Sequence, residues 1–193
     1  MENKLLILVA LTSAGKDAIQ TRLSKLGFAI GTSHTTRPMR DGEVEGREYF
    51  FIDDQVYDNM EANGEFAGLP RKYKTLVNNK PAIWKYGISY KEIESNGNMI
   101  TIIDSKGALA LKEDLIGKKD CTIIYIHVDE ETRKERCKLR GDFDEFEWNR
   151  RESDDTYQFS HDNILRHADL IVENFDLNKC VCDIFKFISE SED

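Results

Sequence analysis

Gly15-Lys16 stands where an apolar run, Leu5-Leu6-Ile7-Leu8-Val9, gives way to a helical pattern. A lysine after a glycine at the mouth of a helix can set its ammonium against a phosphate. The backbone N–H groups of the turn and the helix N-terminus then face the same anion. The full signature of that chemistry is G-x-x-x-x-G-K-[ST]. Here the loop reads Ala10-Leu11-Thr12-Ser13-Ala14-Gly15-Lys16-Asp17, with Ala10 for the first glycine and Asp17 for the hydroxyl residue. Alanine at position 10 is tolerated where φ is negative. Asp17 brings a carboxylate, a hard oxygen ligand suited to Mg²⁺ directly or through water. The expected donor-phosphate site is therefore Ser13, Ala14, Gly15, Lys16 and Asp17, with Lys16 catalytic and Asp17 also the metal ligand.

The elements around this loop must hold it rigidly. Residues 5–9 read as a strand buried on both faces. Ala18, Ile19, Leu23 and Leu26 then fall on one helical face that Gly27 ends. Residues 99–103, 121–126 and 170–172 are further apolar strands, separated by helical patterns over 106–115, 130–139 and 176–189. Such alternation predicts a parallel sheet covered by helices on both faces. Two polar stretches break it, 32–93 and 140–155, and both are expected at the ligand-binding end of the sheet.

Composition narrows the function classes. No apolar run approaches the roughly 18 residues of a membrane span, and the opening segment reads as a strand, not a leader. The expected location is the cytoplasm, with Cys121, Cys137, Cys180 and Cys182 as free thiols. Cys180-x-Cys182 lacks the two- to four-residue spacing of a zinc knuckle. A net charge of −9 argues against binding along a nucleic-acid backbone. It leaves room for a few arginines around a small phosphorylated ligand.

The segment Ser33-His34-Thr35-Thr36-Arg37-Pro38-Met39-Arg40-Asp41-Gly42-Glu43-Val44-Glu45-Gly46-Arg47-Glu48-Tyr49 closely resembles the monophosphate-binding segment of guanylate kinases. The match is a serine, T-T-R, a second arginine, G-E-x-x-G and a tyrosine. It continues thinly through Gly64-Glu65-Phe66, Tyr86-Gly87, Asp104, Lys106-Gly107, Arg140-Gly141 and Arg150-Arg151. The resemblance implies an α/β, three-layer P-loop NTPase core with a parallel sheet, over residues 1–31, 94–139 and 156–193. It further implies an inserted monophosphate-binding subdomain (32–93) and a short lid (140–155). It implies ATP and Mg²⁺ as cofactors and a small nucleotide as partner, with the chain a monomer or homodimer. Ser33, Arg37, Arg40, Tyr49, Tyr86 and Asp104 would bind the acceptor, Arg140 and Arg151 would be catalytic on the lid, and Asn174 would join the ATP site. Arg133 and Arg136 lie on the preceding helix and are read as assisting the lid. Arginine forks suit this work because they hold phosphate oxygens bidentately.

The resemblance breaks where the family reads the guanine base. Gly68 stands in place of a glutamate, Ile88 in place of a hydroxyl residue (Ser89 is adjacent), and Ile102 in place of an acid. A basic insertion, 69–84, carries Arg71, Lys72, Lys74 and Lys80, and its Asn78 or Asn79 is a candidate replacement for the lost contacts. The expected activity is transfer of the ATP γ-phosphoryl group to a nucleoside monophosphate, GMP or dGMP first, with weakened base discrimination. Two alternatives stay open. The Gly-Lys-Asp loop is also similar to that of ribose 1,5-bisphosphate kinases, and some guanylate-kinase-like domains are non-catalytic binding modules.

Overall fold

The computed structural model describes residues 3–77, 80–95, 97–141 and 143–190. Its centre is a five-stranded parallel sheet. In spatial order the strands are β2 (Ala29–Ile30), β7 (Met99–Ile102), β1 (Lys4–Val9), β8 (Asp120–His127) and β9 (Leu170–Glu173). β1 is buried along its whole length because both of its faces are covered. Leu6 and Leu8 meet α1 (Lys16–Ser24) and α8 (Leu177–Glu190) through Ile19, Leu23, Cys180 and Ile184. Leu5, Ile7 and Val9 point the other way, toward Ala108 and Leu111 of α4 (Ser105–Asp114). The layers are those of the expected α/β core. The two-residue edge strand β2 carries too little pattern to be read from sequence.

The stretch 32–93 folds as a second sheet of four strands. Their order is β4 (Phe50–Phe51), β3 (His34–Thr35), β6 (Lys80–Ser89) and β5 (Phe66–Val77), with α2 (Asp54–Ala62) following β4 and α3 (Tyr90–Ser95) following β6. The long antiparallel β5–β6 hairpin changes register between Ala67 and Arg71. At that irregularity Gly68 adopts φ +63°, and its backbone N–H donates to Asp114 Oδ2 at 2.9 Å. Tyr90 donates its hydroxyl to the same oxygen at 2.5 Å, so the hairpin is tied to the end of α4.

Beyond β8 comes α5 (Glu130–Arg140), capped at its start by Asp129 and closed by Gly141 in the left-handed region. A short turn leads to α6 (Glu145–His161), which is followed by α7 (Ile164–His167). The stretch 140–155 is thus the end of α5, the turn and the front of α6. The position 155/156 lies inside one continuous helix.

The approach of hairpin to helix leaves no room for a side chain at Gly68. A Cβ there would stand 2.9 Å from both Leu111 Cα and Leu111 N, and the left-handed φ adds its own strain. Gly68→Ala should therefore destabilise the fold by about 2 kcal/mol or more. Gly97→Ala, with no atom within 4 Å of its Cβ, should be near neutral. Thermal denaturation of the two variants side by side checks this contrast.

Candidate functional site

The turn between β1 and α1 has most of its carbonyls taken, while the N–H groups at the helix mouth are not. Lys16 Nζ donates to Ala10 O at 2.7 Å and Leu11 O at 3.2 Å. Arg133 Nη1 donates to Thr12 O at 3.3 Å, and Asn174 Nδ2 to Ala14 O at 2.8 Å. Left-handed φ values at Ser13 (60°) and Gly15 (89°) fold the turn, while Ala10 avoids that region and is accommodated as a buried methyl. The backbone N–H groups of Gly15, Lys16 and Asp17 make no hydrogen bond among the described residues. Consecutive free donors at a helix start form an anion-binding concavity. Asn174 is buried directly beneath it, and a Cβ on Gly15 would meet Asn174 Nδ2 at 2.6 Å.

One anion already touches this turn. Asp155 of α6 accepts the Thr12 N–H at 3.1 Å. Burial pushes its carboxyl pKa up, against the Thr12 N–H and the Lys16 charge, which favour ionisation. Burial likewise lowers the Lys16 pKa, with Asp155 and Asp17 opposing and Arg133 adding to the fall. One helical turn before Asp155, Glu152 takes both ends of the buried Arg133 fork at 2.6 and 2.7 Å. Arg136 donates to Asn174 O at 2.6 Å and to Ala14 O at 3.5 Å. Neither Glu152 nor Asp155 was singled out from sequence. Their i, i+3 spacing on one helical face was the available signal.

Of the two lid arginines, Arg140 reaches the turn: its Nη2 donates to Ser13 Oγ at 3.2 Å. Arg151 is half-exposed and bonded to Glu147 Oε1 at 2.6 Å, so this structure does not bring it to the phosphate loop. Glu147 is held down at about 2, by its hydrogen bonds to Arg150 first and then by those to Arg151, against a burial cost.

The acceptor side gathers around Arg37, which is buried. Glu43 binds its end-on edge at 2.7 and 3.0 Å, and Pro38 O takes another N–H at 2.8 Å. Burial works against the Arg37 charge, but the Glu43 hydrogen bonds and charge outweigh it and raise the pKa. The remaining edge, Nε–H with the second Nη2–H, makes no hydrogen bond among the described residues. The guanidinium lies 5.3 Å from the Tyr49 ring, and Tyr49 meets Tyr86 at 5.7 Å between centroids. Both rings therefore join the cluster as expected from sequence. Arg40 is exposed, with its backbone N–H donating to Glu43 Oε2 at 2.7 Å and its carbonyl accepting from Glu43 N at 3.1 Å. Ser33 is half-buried, with its carbonyl accepting from Phe50 N at 2.9 Å. Asp104 caps α4 through the Gly107 N–H at 2.9 Å and also binds Arg71, Tyr73 and Gln158, partners sequence reasoning did not assign. Asn78 and Asn79 lie outside the described residues.

Asp17 opens α1 next to Lys16. It is exposed, and its carboxylate accepts no hydrogen bond among the described residues, as a cation ligand requires. Among the described residues no cluster of three His, Cys, Asp or Glu could hold a metal alone. A divalent ion here would be coordinated by Asp17, water and the oxygens of a bound phosphate.

The raised pKa of Asp155 makes a stability prediction. A carboxyl whose folded pKa exceeds its ordinary 3.8 costs stability when ionised. That cost is absent below the unfolded pKa and fully present above the folded one. Asp155→Asn, which can still accept from Thr12, should raise Tm at pH 7. The advantage should shrink as pH is lowered toward 4, and calorimetry across that range reads it.

Comparisons with known proteins agree with this geometry. The family model described as Guanylate kinase matches residues 2–191. A guanylate kinase of Nitrosomonas europaea is 26% identical over 190 residues, covering 95% of this chain and 88% of that protein. One of Wigglesworthia glossinidia brevipalpis is 31% identical over 169 residues, covering 84% and 73%. The crystal structure of guanylate kinase from Anaplasma phagocytophilum superposes with a TM-score of 0.69 at 21% identity. It covers 98% of this chain and 86% of that one, and supports the fold. With a family match that spans nearly the whole chain around an anion-binding turn, the chain belongs to the guanylate kinase family and is an enzyme of the phosphotransferase class.

Proposed function

We propose that the protein transfers the γ-phosphoryl group of ATP to a nucleoside monophosphate, with GMP or dGMP the first acceptor to test. The observation that carries this reading is the pairing of two half-satisfied sites. One is a turn with free N–H groups at Gly15, Lys16 and Asp17, and the other an arginine with one free fork edge at Arg37. Phosphoryl transfer asks for little else, because catalysis is positioning and charge stabilisation.

In this scheme the turn and Lys16 hold the donor phosphates. Arriving phosphate oxygens compete with the loop carbonyls for the Lys16 ammonium and with Asp155 for the Thr12 N–H. Arg37, already aimed by Glu43, offers its Nε/Nη2 edge to the acceptor phosphate, with the Tyr49 and Tyr86 hydroxyls beside it and Arg40 joining from solvent. Arg140 approaches the transferring group from the end of α5. Arg151 must leave Glu147, and the step is cheap. An exposed i, i+4 pair is worth only about 0.3–0.5 kcal/mol, and this one is half-exposed. The acceptor phosphate is ionised, so no general base is required. When bound, Mg²⁺ would neutralise charge on the donor phosphates, with Asp17 as its protein ligand. The residues divide into a core (1–31, 94–139, 156–193), an acceptor-binding insertion (32–93) and a lid (140–155). The lid motion is carried by the front of α6. A cytoplasmic setting suits the four free cysteines. No helix among the described residues is long and apolar enough to cross a membrane. The relatives are named guanylate kinases, which favours this reading over the ribose 1,5-bisphosphate and non-catalytic alternatives.

The deciding experiment is ADP production from ATP in a coupled assay, across GMP, dGMP, AMP, CMP, dTMP and ribose 1,5-bisphosphate. GMP or dGMP should be turned over, and a chain inert with every acceptor refutes the proposal. Lys16→Ala should abolish turnover with the far-UV circular dichroism unchanged. Retained kcat would remove Lys16 from the donor site. Arg37→Ala should lower acceptor kcat/KM by roughly ten- to hundredfold, the value of a charge-assisted hydrogen bond. ATP binding, read by calorimetric titration, should hardly change. Equal loss of ATP affinity would undo the division into donor and acceptor sites.

A further inference from the structure

Both oxygens of Asp104 are engaged. Its Oδ1 accepts from Arg71 Nη1, from the Gly107 N–H at 2.9 Å and from Gln158 Nε2 at 3.2 Å, and its Oδ2 accepts from the Tyr73 hydroxyl at 2.6 Å. A carboxylate has about four acceptor positions, two on each oxygen. Oδ1 is saturated, and the one position left lies on Oδ2 beside the Tyr73 hydroxyl. The donors around it are less engaged. Arg71 spends one Nη1–H on Asp104, while its Nε–H and Nη2–H make no hydrogen bond among the described residues. A ligand arriving here meets a donor fork and a carboxylate whose charge four donors already share.

The fork is also in the right place. Ring contacts run from Tyr49, beside the Arg37 guanidinium, to Tyr86 at 5.7 Å and on to Tyr73 at 5.5 Å. The Arg71 guanidinium lies 5.6 Å from the Tyr73 ring. A nucleoside monophosphate with its phosphate on Arg37 lays its base along this row toward Arg71. Arg71 and Gln158 also line a cleft of about 340 Å³, large enough for a small ligand. Gly68, which precedes this fork on β5, can carry no side chain because Leu111 fills the space.

We infer that Arg71 determines acceptor specificity and recognises the O6/N7 edge of a 6-oxopurine nucleoside monophosphate. The inference rests on the kinase reading above. An arginine fork pairs bidentately with the two acceptors O6 and N7 of guanine, whereas adenine presents an N6 amino donor there and leaves the fork mismatched. Hypoxanthine shows the same O6/N7 edge as guanine. The 2-amino group that separates guanine from hypoxanthine has only the one position left on Asp104 Oδ2, on a charge already shared by four donors, so this site reads it weakly.

The test is steady-state kcat/KM with ATP for GMP, IMP and AMP, on the unmodified chain and on Arg71→Met and Arg71→Lys. On the unmodified chain GMP and IMP should agree within roughly fivefold, and both should exceed AMP by at least about tenfold. Arg71→Met should cut that preference for 6-oxo over 6-amino purines by about tenfold, with the KM for ATP unchanged. Lysine keeps the charge but not the fork, and should not restore it. The comparison of GMP with IMP needs no variant, so a misfolded Arg71→Met protein leaves the inference open to refutation. IMP weaker than GMP by tens of fold would overturn it, because the 2-amino group would then be read elsewhere. An equal fall for all three acceptors in a folded Arg71→Met protein would also overturn it. Turnover of no monophosphate by the unmodified chain would instead defeat the kinase reading itself.

Discussion

A site that binds phosphates must keep cations out of bulk water before any phosphate arrives, and an unpaired buried charge is expensive. This chain meets that constraint with resident carboxylates. Glu43 holds Arg37, Glu152 holds Arg133, Asp104 holds Arg71, and Asp155 lies against the turn that Lys16 crosses. Three of these acids orient an arginine by direct hydrogen bonds in the free protein, and the fourth engages the Thr12 N–H. The net charge of −9 is compatible with phosphate binding for the same reason: the positive groups are few, placed and locally balanced.

The pairs differ in what it costs to break them, and that difference says which parts can move. Arg133 and Glu152 are a buried bidentate pair, further bound to Val128 O and Thr12 O. Separating such a pair strands a charge and costs several kcal/mol, about 3–5 in comparable cases. The middle of α6 is thereby fixed to the core. Arg150 and Arg151 near its start hold only solvent-exposed partners on their own helix. Closure over a donor nucleotide can therefore use the front of α6 and the turn before it, while Glu152 stays in place.

The core was legible because its signals are local and periodic. The five apolar residues of β1 and the Gly-Lys that opens α1 act within a few positions of themselves. The arginine and tyrosine positions of the acceptor segment were legible through an ordered motif. What escaped were pairings with partners far along the chain that no motif covers. Asp155 meets Thr12 across 143 positions, Arg133 meets Glu152 through a turn of unknown path, and Arg71 meets Asp104 across 33. Nothing in the composition of α6 says which of its acids faces inward. Domain limits suffered similarly, since the 155/156 division cuts a helix whose two ends serve different purposes.

The same distinction separates the proposed acceptor-phosphate segment, which keeps an ordered motif, from the proposed base-facing positions, which do not. Phosphate contacts come from backbone N–H groups and from arginines anchored by neighbours in sequence, as Arg37 is by Glu43 six residues on. Changing one of them forfeits the chemistry. Base contacts depend on how the β5–β6 hairpin lies on α4, and here Gly68 brings the strand into backbone contact with Leu111. A carboxylate at position 68 is incompatible with that approach. The residue that can face a ligand from this strand is Arg71, beyond the register change, and it brings donors where a glutamate would bring acceptors. On the reading of Arg71 given above, a packing decision between a strand and a helix changes the polarity of the surface offered to the base, with Arg37 and its Glu43 partner left in place.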